Sequence, residues 1–263
     1  MREILERLAN GKISVDEAEK ALKINVVENV ANVAKLDVGR EIRRNVPEII
    51  FAEGKEDADL VAICSKMLEK NGRAIVSRLT DAQLDLLSKK FQDHSIERYP
   101  HARSLVLRSH DQSRPNSGGV VGVLTAGTVD LAIAEEAMMI AQEMGCKVFL
   151  EADAGVAGIH RLVQPLKNML ELDVDCLVVV AGREGALPTV VAGLIDVPLI
   201  AVPASSGYGF GGSGEAALMA MLQACSLGLA VVNIDSGVAA GVVSAQIANR
   251  VAHARIRSQP EER

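Results

Sequence analysis

The segment Ser205-Ser-Gly-Tyr-Gly-Phe-Gly-Gly-Ser-Gly214 places five glycines in ten residues, between the apolar run Leu199–Val202 and a helical pattern that opens at Glu215. Glycine lets a ligand approach the main chain closely. Successive free N–H groups at a strand-to-helix turn form an anion-binding concavity. Ser205, Ser206, Gly207, Gly209 and Gly211 are the candidate donors here. Tyr208 and Phe210 sit in the same turn, in a chain with only two Tyr, four Phe and no Trp. Aromatics that a core could have used stand instead on a flexible turn. A glycine-rich surface connection is the plainer reading, although long loops in compact domains are usually functional.

Four further turns carry residues with chemical potential. In Thr125-Ala-Gly127-Thr128-Val-Asp130, a glycine, a hydroxyl and a carboxylate at a helix start can bind phosphate or hold a general base; Thr128 and Asp130 are equally ordinary capping residues. In Asp153-Ala-Gly-Val-Ala-Gly-Ile-His160-Arg161, a proton carrier stands beside an anion clamp, or the pair simply packs a helix N-terminus. In Gly182-Arg-Glu184-Gly185-Ala-Leu-Pro188, the carboxylate can act as a base or bind hydroxyl and cationic groups; a first-turn acid is the alternative. In Asn233-Ile-Asp235-Ser-Gly237, two polar side chains on one side of a strand can meet ribose, phosphate or a metal-bound water.

Of the four cysteines, Cys64 falls on a helical face, Cys146 follows the helix-ending Gly145 and Cys176 begins a buried strand. Cys225 stands between a helix and a strand. Burial is the usual fate of a lone cysteine, and nucleophilic use requires exposure and a lowered pKa.

The elements that position these turns follow from periodicity. From Val120 the chain alternates strand and helix: strands over Val120–Thr125, Lys147–Glu151, Cys176–Ala181, Leu199–Val202 and Leu229–Ile234, helices over Val129–Met144, Gly158–Leu170, Leu187–Leu194, Glu215–Ala224 and Val238–Val251. That alternation implies parallel strands with right-handed crossovers. Continuous apolar runs such as Cys176–Ala181 fit strands covered on both faces. Ligands in such sheets bind beyond the carboxyl ends of the strands, where all five turns are expected to lie.

The first part of the chain reads as a small α/β unit. Two short amphipathic helices come first, the second capped by Ser14 with Glu17. Strands follow over Pro47–Gly54, Ala74–Arg78 and Ser104–Arg108, with helices over Asp57–Lys70 and from Thr80 to Lys90. A Pro/Gly/Ser-rich stretch at Ser113–Gly119 reads as a linker, giving domains over 1–115 and 116–263.

A formal charge of −6 and 24% charged residues give no basic footprint for nucleic acid. No apolar run suits a membrane span or a secretory leader. Unclustered cysteines without zinc spacing fit a reduced, cytoplasmic protein.

Taken together, the motifs resemble the LarB family of nickel-pincer cofactor biosynthesis, itself similar to the aminoimidazole ribonucleotide carboxylases and mutases. The matching text is Thr-Ala-Gly-Thr-Val-Asp130, Gly-Val-Ala-Gly-Ile-His-Arg161, Gly-Arg-Glu-Gly-Ala-Leu-Pro188, the glycine loop, and Ala-Cys225-Ser…Val-Val-Asn-Ile-Asp235. Leu36–Arg44 and Pro47–Lys55 resemble that family's N-terminal domain, which the purine enzymes lack.

The resemblance implies a three-layer, doubly wound, flavodoxin-like parallel sheet preceded by a small α/β domain. It also implies a reaction: carboxylation of the pyridinium ring of nicotinic acid adenine dinucleotide at C5, then hydrolysis of its phosphoanhydride to pyridinium biscarboxylate mononucleotide and AMP; the alternatives are a purine-type aminoimidazole ribonucleotide carboxylase or mutase and a non-catalytic nucleotide sensor. Carbon dioxide or bicarbonate is the co-substrate, no organic cofactor is expected, and a need for magnesium stays open. Cys225 corresponds to the family nucleophile and Glu184 to its carboxylate, with Asp130 and His160 the further catalytic candidates. Gly127, Thr128, Arg161, Gly182, Gly185, the glycine loop, Asn233 and Asp235 are the binding candidates. A homo-oligomer, an octamer by likeness to the purine enzymes, is implied. The chain departs from the pattern at Val129 (serine expected), Arg183 (methionine common) and Ser236 (asparagine frequent).

Overall fold

The computed structural model describes residues 2–22, 28–30, 34–37 and 39–258; Val38, inside the Leu36–Arg44 motif, lies outside them. The chain divides into two compact units, one within residues 1–98 and 103–113, the other from 99–102 and 114–263.

The first unit contains α1 (Arg2–Ala9), α2 (Val15–Leu22), β1 (Glu28–Val30), β2 (Ala34–Leu36), α3 (Arg40–Arg44), β3 (Ile49–Phe51), α4 (Asp57–Asn71), β4 (Arg73–Ser77), α5 (Asp81–Lys90), β5 (Ser95–Tyr99) and β6 (Ser104–Arg108). β1 and β2 pair antiparallel, and a second sheet has the order β3-β4-β6-β5. Its core is aliphatic, built on Leu60, Ile63, Met67, Leu87, Leu105 and Leu107. Both helix starts anticipated from the sequence carry their caps. Glu17 N donates to Ser14 Oγ at 3.2 Å, and Thr80 forms a reciprocal capping box with Gln83. β5, whose Ser-Ile-Glu-Arg-Tyr text is too polar to signal a strand, and the very short β1, β2 and α3 are not evident from the sequence.

The second unit contains β7 (Val120–Thr125), α6 (Leu131–Glu143), β8 (Lys147–Glu151), α7 (His160–Glu171), β9 (Cys176–Ala181), α8 (Ala186–Ala192), β10 (Leu199–Pro203), α9 (Glu215–Leu222), β11 (Leu229–Val231) and α10 (Gly237–Ser258). All four pairings are parallel, in the order β11-β10-β9-β7-β8. This is the flavodoxin-like arrangement, with its reversal between β7 and β9. One face of the sheet packs Leu124, Leu177, Val179 and Ala201 against Leu162 and Leu166 of α7, Leu187 and Val191 of α8, and Ala217 and Met221 of α9. The opposite face is covered by α6 and α10. These two helices approach closely because α10 presents small residues: a Cβ on Gly241 would stand 2.6 Å from the Ala137 carbonyl. Together the helices and sheet make the expected three layers.

β11 is shorter than its apolar text suggests. Asn233 Oδ1 accepts the following Ile234 N–H at 2.9 Å, and Asp235 adopts a left-handed backbone at φ 55°, so the ladder stops before either. α10 runs farther than the apolar pattern, to Ser258, with Arg255 paired to Asp173 and Asp175. Among the described residues no helix is long and apolar enough to cross a membrane.

Candidate active site

A cavity of about 600 Å³ opens beyond the carboxyl ends of β7 and β9, at the strand-order reversal. Four turns build it. Gly127, Val129 and Asp130 come from the turn after β7; Gly155, Val156 and Arg161 follow β8; Gly182, Arg183 and Glu184 follow β9; Ser206 and Tyr208 follow β10. Thr125, which the sequence reading did not single out, ties the first two turns together. Its buried hydroxyl donates to Gly127 O at 2.9 Å and accepts from Asp153 N at 3.3 Å.

Asp130 is the cavity's buried carboxylate. Gly127 N donates to its Oδ2 at 2.9 Å, and Ser206 Oγ to its Oδ1 at 2.7 Å. Burial raises its pKa above the ordinary 3.8. The two donors favour the anion and oppose that rise, while the nearby Asp235 charge adds to it. A carboxyl so placed can hold or pass a proton. Glu184 is exposed in the cavity and makes no hydrogen bond or ion pair with any described residue. Its turn is held from behind by Gly185, whose φ of +63° favours glycine. A Cβ there would also meet the backbone of Ala217 in α9 at 2.7–2.8 Å.

The two cations of the lining differ in their engagement. Arg161 donates to Asp153 at 2.8 Å and to Gly155 O at 3.5 Å. Arg183 instead lies over the Tyr208 ring, its guanidinium carbon 4.1 Å from the centroid.

Several sequence candidates fall outside the cavity lining: Thr128, His160, Gly185, Ser205, Gly207, Gly209, Gly211, Asn233 and Asp235. Ser205 N–H is taken by Asp235 Oδ1 at 2.8 Å, which fastens the glycine loop to the turn after β11. His160 is exposed at the first position of α7. Phe210 stands fully in solvent, so of the two loop aromatics Tyr208 borders the cavity.

Cys225 also lies away from it. It is exposed in the turn between α9 and β11. Ser226 Oγ in that turn donates to Thr189 O of α8 at 2.8 Å, and Gly228 O accepts from Leu199 N at 3.3 Å. The turn therefore belongs to the amino end of the sheet, opposite the cavity. Cys64, Cys146 and Cys176 are all buried. Burial pushes their thiols up to about 12, 11 and 12 respectively, which leaves them protonated near neutrality.

A parallel flavodoxin-like sheet with its cavity at the β7/β9 reversal defines the class, and comparison with known proteins specifies it. Residues 120–262 match the AIR carboxylase family model, and residues 27–109 match the LarB/PurE-like N-terminal domain. The chain belongs to the AIR carboxylase family as a LarB-like member, distinguished by that N-terminal domain. It is 40% identical to an uncharacterized protein of Methanocaldococcus jannaschii over 253 residues, covering 94% of this chain and 96% of the relative. It is also 30% identical to the N5-carboxyaminoimidazole ribonucleotide mutase of the same organism over 130 residues, 49% of this chain and 78% of that enzyme.

Proposed function

We propose that the protein carboxylates the pyridinium ring of nicotinic acid adenine dinucleotide at C5 and then hydrolyses the phosphoanhydride, releasing pyridinium biscarboxylate mononucleotide and AMP. The observation that carries this reading is the LarB/PurE-like N-terminal domain joined to an AIR carboxylase domain whose one exposed cysteine is Cys225.

A pyridinium ring is electron-poor, and its C5 does not attack carbon dioxide. Addition of the Cys225 thiolate to an adjacent ring carbon forms a C–S bond and pushes an electron pair into the ring. The product is a neutral dihydropyridine whose enamine carbon, C5, is nucleophilic. C5 then bonds to carbon dioxide. A base takes the C5 proton, the ring regains its aromatic sextet, and the C–S bond breaks to return the thiolate. Thiol catalysis thus divides one hard step into easier ones. Glu184, unpaired in the cavity, is the base in this scheme, and Asp130 the group that holds a proton nearby. The final hydrolysis adds water across the phosphoanhydride.

The cavity and the thiol lie at opposite ends of the sheet in one chain, so the scheme requires two copies, one presenting its Cys225 turn to the other's cavity. The surroundings of Cys225 suit such a contact: Met219, Leu222 and Leu227 are 64%, 66% and 90% exposed. Apolar side chains gathered this way characterise association surfaces.

Incubation with nicotinic acid adenine dinucleotide and bicarbonate, followed by mass spectrometry, tests the reading. The expected products are the biscarboxylate mononucleotide and AMP. Absence of both, with turnover of N5-carboxyaminoimidazole ribonucleotide under the same conditions, would assign the chain to the purine-type chemistry named for its mutase relative.

A further inference from the structure

We propose that Arg183 is the cavity's docking residue for a diphosphate, held ready by Tyr208, and that it selects ligands carrying linked phosphates over those with one. The inference rests on the functional reading above only for the identity of the natural ligand.

Four charged side chains line the cavity: Asp130, Glu184, Arg161 and Arg183. Arg161 is already neutralised by Asp153 at 2.8 Å. Arg183 has no carboxylate partner among the described residues; its contact is the face of Tyr208. The uncompensated positive charge in the lining is therefore that of Arg183, while Asp130 and Glu184 both repel an anion. A ligand with two linked phosphates needs that charge more than any other group the cavity offers.

The geometry suits the task. A guanidinium held over a ring face spends no hydrogen bond on a carboxylate, and its forked N–H groups can match two phosphate oxygens at once. The aromatic face holds the side chain in place and reduces the freedom lost on binding. Arg183 also adopts φ 54°, a left-handed backbone uncommon for such a residue. Residues kept in such conformations cluster at ligand clamps.

Equilibrium binding of inorganic pyrophosphate and inorganic phosphate to the full chain tests the proposal without reference to the reaction. The wild type is expected to prefer pyrophosphate. Arg183→Met should weaken pyrophosphate binding on the order of 10- to 100-fold, and phosphate binding by less than about threefold. Arg183→Lys should fall between, because it keeps the charge and loses the fork. Tyr208→Phe should bind like the wild type and Tyr208→Leu more weakly, which separates positioning by the ring from any role of the hydroxyl. Equal pyrophosphate affinity in the wild type and Arg183→Met, equal losses for both anions, or no pyrophosphate binding by the wild type would each overturn the inference. Failure of the dinucleotide reaction with these binding differences intact would count against the proposed substrate alone.

Discussion

Cys225→Ser and Glu184→Gln each remove one half of the proposed chemistry, and mixing the two variants asks whether the halves come from one protomer. The cavity sits at the Pro203 end of β10, whereas the Cys225 turn is bonded at its Leu199 end. With a rise of ~3.3 Å per residue, those ends are about 13 Å apart. Reacting atoms must come within ~3.5 Å, which one chain cannot achieve while α9 and β11 stay folded. Each variant alone should be inactive or nearly so, since loss of a general base typically costs ~100- to 10,000-fold. In hybrids, a working site combines an intact Glu184 cavity with an intact Cys225 from another copy. Random association of equal amounts gives about one such site in four, because each half is intact in half of the protomers of a symmetric assembly. The mixture should therefore recover roughly a quarter of the wild-type rate from parents at ~1% or less. Product would be followed by liquid chromatography with mass spectrometry, and hybrid formation by native mass spectrometry. If hybrids form and the rate stays at the parental background, the cysteine does not act between copies and the scheme fails.

Three further variants have expected outcomes. Asp130→Asn keeps an acceptor for Gly127 N–H and can donate to Ser206 Oγ, so the fold should survive while carboxylation falls by ~100-fold or more. Burial raises the folded-state pKa of Asp130 above 3.8, so its proton-linked stabilisation is complete below that value and is lost as pH rises through the folded pKa; melting curves should show wild type losing ground to Asp130→Asn across that interval, and parallel pH profiles would refute the linkage. Gly182→Ala would place a Cβ 2.6 Å from Ser206 Oγ, turning the hydroxyl away from Asp130; a loss of about 1–2 kcal/mol in denaturant unfolding is expected, and an unchanged midpoint would show that the bond contributes nothing. At Gly209, where φ is +80° and no atom lies within 4 Å of a new Cβ, valine meets backbone strain rather than a clash; dinucleotide affinity should drop at least about threefold through the neighbouring Tyr208, and full affinity with an intact circular dichroism spectrum would make the loop a mere connector.

The catalytic half was legible because its strands are continuous apolar runs punctuated by glycine. Val120–Thr125, Lys147–Glu151 and Cys176–Ala181 have the ends expected from the sequence. The turns that follow β7, β8, β9 and β10 all reach the cavity, as the rule for parallel sheets requires. Detail within those turns was not legible. Nothing in the text of the glycine loop says that Tyr208, though exposed, borders the cavity while Phe210 stands clear of it, or that Ser205 N–H is already taken by Asp235. These depend on left-handed residues at Asp153, Arg183, Ser213 and Asp235, non-glycine positions that only tertiary context can hold. The polar strand β5 escaped for a related reason, since its place is set by a neighbouring strand and not by its own pattern.

The location of Cys225 follows from chain polarity. In a parallel sheet, a residue just after a strand stands at the carboxyl end and a residue just before one stands at the amino end. Asp130, Arg161, Glu184 and Ser206 follow strands and converge; Cys225 precedes β11 and does not. A motif that joins Cys225 to Asn233 and Asp235 in one line of sequence therefore spans both ends of the sheet. Asp235 fastens the cavity-side loop through Ser205, whereas Ser226, beside the cysteine, is fastened to the body of α8. The segment between them, β11, is an edge strand of three residues. It thus links the wall of a chain's own cavity to the thiol which that chain would present to a neighbour. On the proposed scheme, a change that shifts β11 should disturb two cavities at once, its own through the glycine loop and its neighbour's through Cys225.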